Sequence, residues 1–110
     1  MVERAQIICL TDLYPEITDE ELTYIAEHCS IERISRGTMI IKQGDTSRDI
    51  FILLHGRLAV TRLNRFQKSI LLNEVARGDI IGELSLFSSE PRSANVTAER
   101  DSEIVRIPHQ

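Results

Sequence analysis

The chain has 110 residues, of which 42% are hydrophobic and 5% aromatic, and this size favours one domain with one core. Thirteen basic and seventeen acidic residues give a net charge of -4, which excludes a global positive field for nucleic acid or anionic lipid. We therefore expect no direct contact of this segment with nucleic acid or a membrane, and any bound anion must be held by a local site.

The first predicted element is an amphipathic helix from about Asp19 to Cys29. Thr18 stands at the N-cap position and Glu21 follows three residues later, which is the pattern of a capping box. The predicted buried face consists of residues that recur at helical spacing, namely Leu22, Ile25, Ala26 and Cys29. A short helical turn is expected before Pro15, so residues 1–30 are interpreted as an N-terminal helical segment.

From Ile31 onward, short apolar runs alternate with glycine-bearing or charged breaks. This pattern predicts a mainly β fold, an antiparallel β-barrel or jelly roll of about eight strands, over residues 31–110. All five glycines fall at or beside the breaks, where a positive φ closes a tight turn. The run Ile50 to Leu54 is apolar throughout and predicts a central strand. It is also far shorter than the ~20 residues of a membrane span.

One segment, GELSLF, breaks the strand pattern. Gly82 permits entry into a short helical turn, whose free backbone N–H groups would hold a phosphate, with the Ser85 hydroxyl as a further donor. Arg92 offers a guanidinium fork that matches phosphate oxygens, with the Ser93 hydroxyl beside it. Glu83 conflicts with a phosphate unless it accepts a sugar hydroxyl. The segment therefore predicts a site for a phosphorylated sugar, in which Arg92 is expected to need no partner in the core.

The stretch GDIIGELSLFSSEPRSANVTA, residues 78–98, resembles the phosphate-binding cassette of cyclic nucleotide-binding domains. That family includes catabolite activator protein, protein kinase A regulatory subunits and cyclic nucleotide-gated channels. The stretch RGTMIIKQGDTSRDIFILLHGRLAV resembles the first strands of the family, and LTDLYPEITDEELTYIAEHC resembles its leading helices. The resemblance covers about Leu10 to Ile107 and implies a regulatory module that senses a cyclic nucleotide.

The resemblance implies a role for each residue of the cassette. Backbone amides of a short phosphate-binding helix would hold the cyclic phosphate, which implies Gly82, Leu84 and Ser85. Glu83 would accept a hydrogen bond from the ribose 2′-hydroxyl. Arg92 would pair with the phosphate.

The same resemblance implies the surroundings of the purine base. Ser93 would contact phosphate or purine, with the backbone of Ala94 nearby, and Val60, Leu72 and Ile81 align with apolar positions around the base. Serine also follows the arginine in the bacterial cAMP regulator of the family, whereas threonine there is associated with cGMP and alanine with cAMP. The expected ligand is therefore cAMP, with cGMP as the second choice, and no cofactor is expected.

Family members continue into helices that close over the base and carry the signal to a partner. The chain ends in IVRIPHQ without such lid helices, so we expect a sensor whose output domain belongs to a larger parent protein, at a cytoplasmic location or at the cytoplasmic face of a membrane protein. Homodimerisation of that parent stays open. The alternative from another class is a degenerate barrel that binds no nucleotide and serves as an interaction or oligomerisation module.

Other functional classes lack a signature in this sequence. The three histidines stand at no metal-ligand spacing such as HxxxH, so no metal site is expected. No GxSxG, HExxH or P-loop motif occurs, and we expect no enzymatic activity. Cys9 and Cys29 have no CxxC spacing, and we expect no secretory leader because Glu3 and Arg4 interrupt the N-terminal stretch. Both points favour buried thiols over a disulfide.

Overall fold

A computed structural model describes Leu10, residues 14–83 and residues 90–108. Within these residues the elements in chain order are α1 (Asp19–His28), β1 (Ser30–Ile34), β2 (Met39–Ile41), β3 (Ile50–His55), β4 (Leu58–Leu63), β5 (Ser69–Val75), β6 (Ile80–Ile81), β7 (Asn95–Ala98) and β8 (Ser102–Ile107). The predicted mainly β fold is confirmed. Most of the predicted turn before Pro15, and most of the predicted phosphate-binding helix, lie outside the described residues.

Helix α1 begins with the predicted capping box. The Glu21 backbone N–H donates to the Thr18 Oγ1 at 3.1 Å, and the Thr18 backbone N–H donates to the Glu21 Oε1 at 2.9 Å, so two otherwise unpaired donors are satisfied. Its buried face consists of Leu22 and Ala26, followed by the free thiol of Cys29. Burial raises the pKa of that thiol. Among the described residues, no helix combines the length and apolar character that a membrane span requires.

The strands form two antiparallel sheets of four. One sheet has the order β1-β8-β3-β6, and the other has the order β2-β7-β4-β5. Among the described residues no strand pair joins the two sheets, so the jelly-roll form of the prediction applies and a closed barrel is not formed. Strand β5 lies at an edge of its sheet.

Strand β3 lies between two apolar layers, as its uninterrupted apolar run predicts. Phe51 and Leu53 belong to the core between the sheets, whereas Ile52 and Leu54 pack with the residues of α1. Successive side chains of a strand point to opposite faces, so a strand covered by a sheet on one side and a helix on the other must be apolar at every position. Burying one such side chain fully contributes ~1.5–3 kcal/mol.

The glycines close the turns that the sequence predicts. All five have a positive φ. At Gly56, where φ is +105°, a Cβ atom would also overlap the Ser102 side chain. The turn between β3 and β4 therefore requires glycine for two separate reasons.

Candidate ligand-binding site

The sheet that contains β4 and β5 opens onto a cavity of about 710 Å³, a volume within the range of ~300–1,000 Å³ that is typical of small-molecule sites. The lining residues come from five strands and from the segments around β6 and before β7. They are Ile41, Val60, Asn73, Val75, Asp79, Ile80, Ile81, Gly82, Glu83, Glu90, Pro91, Arg92, Ser93, Ala94 and Val96. Strand residues supply most of the apolar surface, and the connecting segments supply the charged groups.

Most of the predicted site residues lie together in this cavity. Those that line it are Val60, Ile81, Gly82, Glu83, Arg92, Ser93 and Ala94. Leu84 and Ser85 lie outside the described residues. The roles of all these residues toward a ligand stay predictions.

Leu72 does not line the cavity, although its strand neighbours Asn73 and Val75 do. The register of β5 explains the difference, since Val60 pairs with Asn73 and Thr61 pairs with Leu71. Leu72 is therefore the extra residue of a β-bulge, and its side chain is exposed. A bulge shifts the alternation of side chains along a strand, which a count of apolar positions in the sequence does not detect.

The Arg92 side chain joins three separate segments of the chain. It is only 9% exposed. Its Nη1 donates to the carbonyl oxygen of Gly82 at 3.1 Å, and its Nη2 donates to the carbonyl oxygen of Asp49 at 2.6 Å. The Arg92 backbone N–H donates to the Asp45 carbonyl at 2.7 Å, and the Arg92 carbonyl accepts from the Gly44 N–H at 2.8 Å. The expectation that Arg92 needs no partner in the core is therefore wrong.

The guanidinium of Arg92 keeps donors for a ligand. It has five N–H groups, and the two carbonyls occupy two of them. Its Nε is buried and has no hydrogen-bond partner in the described part of the chain, and leaving a buried donor unpaired costs ~1–3 kcal/mol. Burial lowers the pKa of Arg92, while the Asp49 and Asp45 carboxylates act in the opposite direction. An anion that enters the cavity would stabilise the charged form of Arg92 and would accept hydrogen bonds from its remaining N–H groups.

Gly82 is required by the position of Arg92. Its φ is +85°, and a Cβ atom there would lie 2.9 Å from the Arg92 Nη1 and 2.9 Å from the Asp49 carbonyl oxygen. Contacts this short force a neighbour to move, and one of these two neighbours is backbone. The absence of a side chain at position 82 therefore lets the guanidinium lie against the backbone just before the proposed phosphate-binding turn.

A second arginine, to which the sequence pattern assigns no role, holds the Asp49 segment. Arg106 donates from Nη1 to the Asp49 Oδ2 at 2.9 Å, and from Nε and Nη2 to the Glu32 carboxylate. Its guanidinium also lies 4.8 Å from the centre of the Phe51 ring. The hydrogen bonds from Arg106 to Glu32 are the main reason that its pKa is raised. Since these residues are far apart in sequence, only the pairing of β8 with β1 and β3 brings them together.

The electrostatics of the cavity favour a ligand of low charge. Its lining carries three carboxyl groups, those of Asp79, Glu83 and Glu90, and one guanidinium, that of Arg92. The Asp79 Oδ2 accepts a hydrogen bond from the Ala76 backbone at 2.9 Å. An anion must therefore lie close to Arg92 and away from the carboxyl groups. In the described ranges of the chain, no group of three or more histidine, cysteine or acidic side chains is arranged to hold a metal ion.

Most of the chain is similar in sequence to known proteins. Residues 31–110 match the family described as cyclic nucleotide-binding domain. The lysophospholipase NTE1 of Cryptococcus neoformans var. neoformans serotype D is 33% identical over 111 aligned positions, which cover 98% of this chain and 7% of that protein. The cAMP-activated global transcriptional regulator CRP of Salmonella typhimurium is 31% identical over 94 positions, which cover 84% of this chain and 45% of that protein.

A solved structure with the same fold is a cyclic nucleotide-binding domain from Methylobacillus flagellatus, with a TM-score of 0.83 and 19% identity, covering 96% of this chain and 62% of that chain. At this identity the likeness establishes the fold. This chain spans less than half the length of both relatives above.

Proposed function

Because this chain belongs to the family of cyclic nucleotide-binding domains, we propose that it is a regulatory sensor that binds a cyclic nucleotide in the cavity beside Arg92. The observation that carries the proposal is the buried Arg92 guanidinium, held by the Gly82 and Asp49 carbonyls within a cavity of suitable volume. A cation taken out of water needs a compensating partner. A cyclic phosphate supplies one with a single negative charge.

The proposed pose combines the lining of the cavity with the residue roles that the family resemblance implies. The cyclic phosphate pairs with Arg92 and with the backbone amides of Gly82, Leu84 and Ser85, and the Ser93 hydroxyl adds a donor. The Glu83 carboxylate accepts a hydrogen bond from the ribose 2′-hydroxyl, which places the carboxylate on the sugar and not on the phosphate. The purine lies against the apolar side chains of the strands.

Within that pose, the purine base contacts apolar side chains of the cavity. Val60 and Ile81 line the cavity, and we place them against the base together with the backbone of Ala94. Leu72 lies outside the cavity lining, so it would contact the base only after a rearrangement of the β-bulge in β5 around the ligand. We propose cAMP over cGMP for two reasons. The relative that is 31% identical is a cAMP-activated regulator, and a serine, here Ser93, follows the cassette arginine, as the resemblance to that type of regulator implies.

We further propose that the ligand signal passes to an output element outside this chain. Both relatives named above are much longer than this chain, which supports a module of a larger protein. We place this module in the cytoplasm or at the cytoplasmic face of a membrane protein, with a helical segment over residues 1–30 and a sensor over residues 31–110. The proposal assigns no catalysis to this segment, and dimerisation, if present, to the parent protein.

Titration calorimetry of the purified chain with cAMP, cGMP and 5′-AMP tests this function. We expect saturable binding of cAMP and a modestly weaker affinity for cGMP. The phosphate of 5′-AMP carries about -1.5 to -2 charges at neutral pH, and the three carboxyl groups of the cavity should weaken its binding at least about tenfold. Absence of heat with all three ligands, from chain that is folded by circular dichroism, would favour the interaction module instead.

Glu83 is expected to make the site select for the ribose 2′-hydroxyl. The wild-type chain should bind cAMP more tightly than 2′-deoxy-cAMP by ~1–3 kcal/mol, because the bound ligand would cover the Glu83 carboxylate, and an acceptor enclosed without its donor costs about that much. Glu83→Ala should remove most of this difference.

The matched control is Glu90→Ala, which deletes another carboxyl group of the same cavity and should leave the preference for the 2′-hydroxyl in place. Competition binding with both nucleotides gives the two ratios. Equal affinity of the wild-type chain for the two nucleotides would remove Glu83 from the ribose site.

A further inference from the structure

Charge is unevenly distributed along this acidic chain. The sequence contains seventeen acidic residues, but none lies between Asp49 and Glu74. Four basic residues lie in that interval, and one of them, Arg57, pairs with Glu74 at 3.1 Å. The other three, Arg62, Arg65 and Lys68, lie in the β4–β5 hairpin and are exposed. Within the described residues none of these three forms an ion pair.

The same hairpin exposes a large apolar surface. Phe66, in the loop between β4 and β5, is 68% exposed. Its exposed apolar neighbours along the hairpin are Leu63, Ile70, Leu71 and Leu72. Single exposed apolar residues are common, but a contiguous exposed group rimmed by polar residues marks an interaction site. We call residues 62–72 the basic hairpin.

The basic hairpin extends past the sheet and is apolar on both faces. Strand β7 pairs with β4 only as far as Thr61, whereas Arg62 and Leu63 pair only with β5. Ile70 lies opposite Arg62, and Leu71 lies opposite Thr61. Since adjacent pairs of a ladder present opposite faces, Ile70 and Leu71 are exposed on different sides of the hairpin.

Hydrogen bonds from the Asn64 side chain stabilise the loop of the basic hairpin. The Asn64 Oδ1 accepts hydrogen bonds from the backbone N–H groups of Phe66 at 2.8 Å and Lys68 at 3.0 Å. Gln67 takes a positive φ of 63°, which the turn requires. The Arg65 guanidinium lies 5.0 Å from the centre of the Phe66 ring. The aromatic ring is therefore presented to solvent with cations on either side of it in sequence.

A groove beside the hairpin continues the basic surface. It has a volume of about 660 Å³, and its lining includes Lys42 and Arg65 together with the apolar side chains of Met39 and Leu63. No carboxyl group lines it within the described residues. An anionic group thus meets cations and apolar surface together at this end of the molecule.

We propose that the basic hairpin docks the domain onto an anionic membrane surface. Phe66 and the neighbouring aliphatic side chains enter the interfacial layer of the bilayer, while Arg62, Arg65 and Lys68 contact lipid phosphates. Lipid surrounds an inserted hairpin on both faces, which matches Ile70 and Leu71, whereas a groove on a protein partner would cover one face. Nucleic acid would use the cations but not the apolar side chains.

The net charge of -4 predicted no contact with anionic lipid, and the distribution of charge is the reason to depart from that expectation. Charges in physiological salt are screened over about 8 Å, so the local distribution of charge at a surface matters more for membrane contact than the net charge of the chain. Each basic residue near an anionic surface contributes ~1 kcal/mol. This inference does not rest on the proposed nucleotide site, since the residues that carry it most directly, Arg62, Arg65, Phe66 and Lys68, do not line the site cavity.

The test uses fluorescence, because the chain has no tryptophan. Phe66→Trp introduces a single probe, and vesicles of phosphatidylcholine with or without phosphatidylserine are added to the full chain. We expect a blue shift of the emission, and quenching by brominated acyl chains, only with the anionic vesicles. Tyr24→Trp is the matched control, since Tyr24 is 57% exposed on α1, and its emission should not shift.

Charge removal completes the test. In the Phe66→Trp background, Arg65→Gln/Lys68→Gln should weaken vesicle binding roughly 25-fold, at about fivefold per cation. Arg36→Gln/Arg100→Gln, which removes the same charge from exposed positions elsewhere, should leave binding unchanged. The proposal would be overturned if anionic vesicles caused no blue shift, or if both double variants weakened binding equally. It would also be overturned if the emission of Phe66→Trp shifted on addition of RNA but not on addition of anionic vesicles. Circular dichroism confirms that each variant is folded.

Discussion

Replacing Arg92 with glutamine is expected to lower the affinity for cAMP roughly thirtyfold to several-thousandfold, corresponding to ~2–5 kcal/mol for one member of a desolvated charge pair. The guanidinium is the single cation in the described lining of the cavity, so no neighbouring group replaces it opposite the phosphate. Calorimetry measures the loss directly. The ligand-induced rise in Tm, which requires binding to the folded state alone, should vanish with it.

The same substitution is expected to destabilise the ligand-free domain. Glutamine is shorter and uncharged, so the Gly82 and Asp49 carbonyls lose the donors that now bind them. Two lost hydrogen bonds correspond to a fall in Tm of roughly 5–15 °C. Affinities must therefore be compared at a temperature where both proteins are folded.

Two further variants separate charge from geometry. Arg92→Lys keeps the positive charge but removes the fork that donates to two carbonyls at once, so it should recover only part of the lost affinity. Arg33→Gln removes an arginine whose side chain is 90% exposed and should change neither affinity nor the thermal shift. Retention of the cAMP-dependent thermal shift in Arg92→Gln would contradict the proposed pairing of Arg92 with the cyclic phosphate.

Gly82→Ala is expected to lower the affinity for cAMP at least about tenfold, because displacing a positioned binding group by a fraction of an ångström costs at least ~1.4 kcal/mol. The new methyl group would lie 2.9 Å from both the Arg92 Nη1 and the Asp49 carbonyl oxygen. One of the two must move, and either movement breaks the arrangement that holds the guanidinium. Thermal unfolding should also show a loss of stability greater than the ~1–2 kcal/mol of an alanine at positive φ.

Gly37→Ala is the matched control for this prediction. Gly37 has nearly the same φ, +91° against +85°, but no atom lies within 4 Å of the position of its Cβ. The backbone strain caused by a positive φ is therefore similar in both variants, whereas the steric contact with Arg92 arises only in Gly82→Ala. Gly37→Ala should lose stability without losing affinity, and equal affinities of the two variants would refute the role assigned to Gly82.

The helix and the strands were predictable because their causes are local. The capping box of α1 depends on two residues three positions apart, and its hydrogen bonds form within one helical turn. The turns depend on single glycines, all of which adopt a positive φ. The apolar run of β3 reflects burial on both of its faces.

The site was predictable in part. Residues 78–98 are a contiguous stretch whose resemblance to a known cassette identifies Gly82, Glu83 and Arg92 from the order of residue types alone, and all three line one cavity of the folded chain. The position of Leu72 was not predictable, because a β-bulge is a property of the pairing between two strands. Nor was the exposure of Ile70, Leu71 and Leu72, because short aliphatic runs of this kind also occur in buried strands such as β3.

The sequence by itself determined the family, the elements and the chemical groups of the proposed site, since each follows from residue types at short separations along the chain. Only the tertiary structure decided which partners those groups have. Arg92 is held by the carbonyl of Asp49, forty-three positions away, and Asp49 is in turn held by Arg106, fifty-seven positions away. Such contacts depend on which strands become neighbours, and the pairing of β8 with β1 and β3 results from burying the whole core rather than from any one segment.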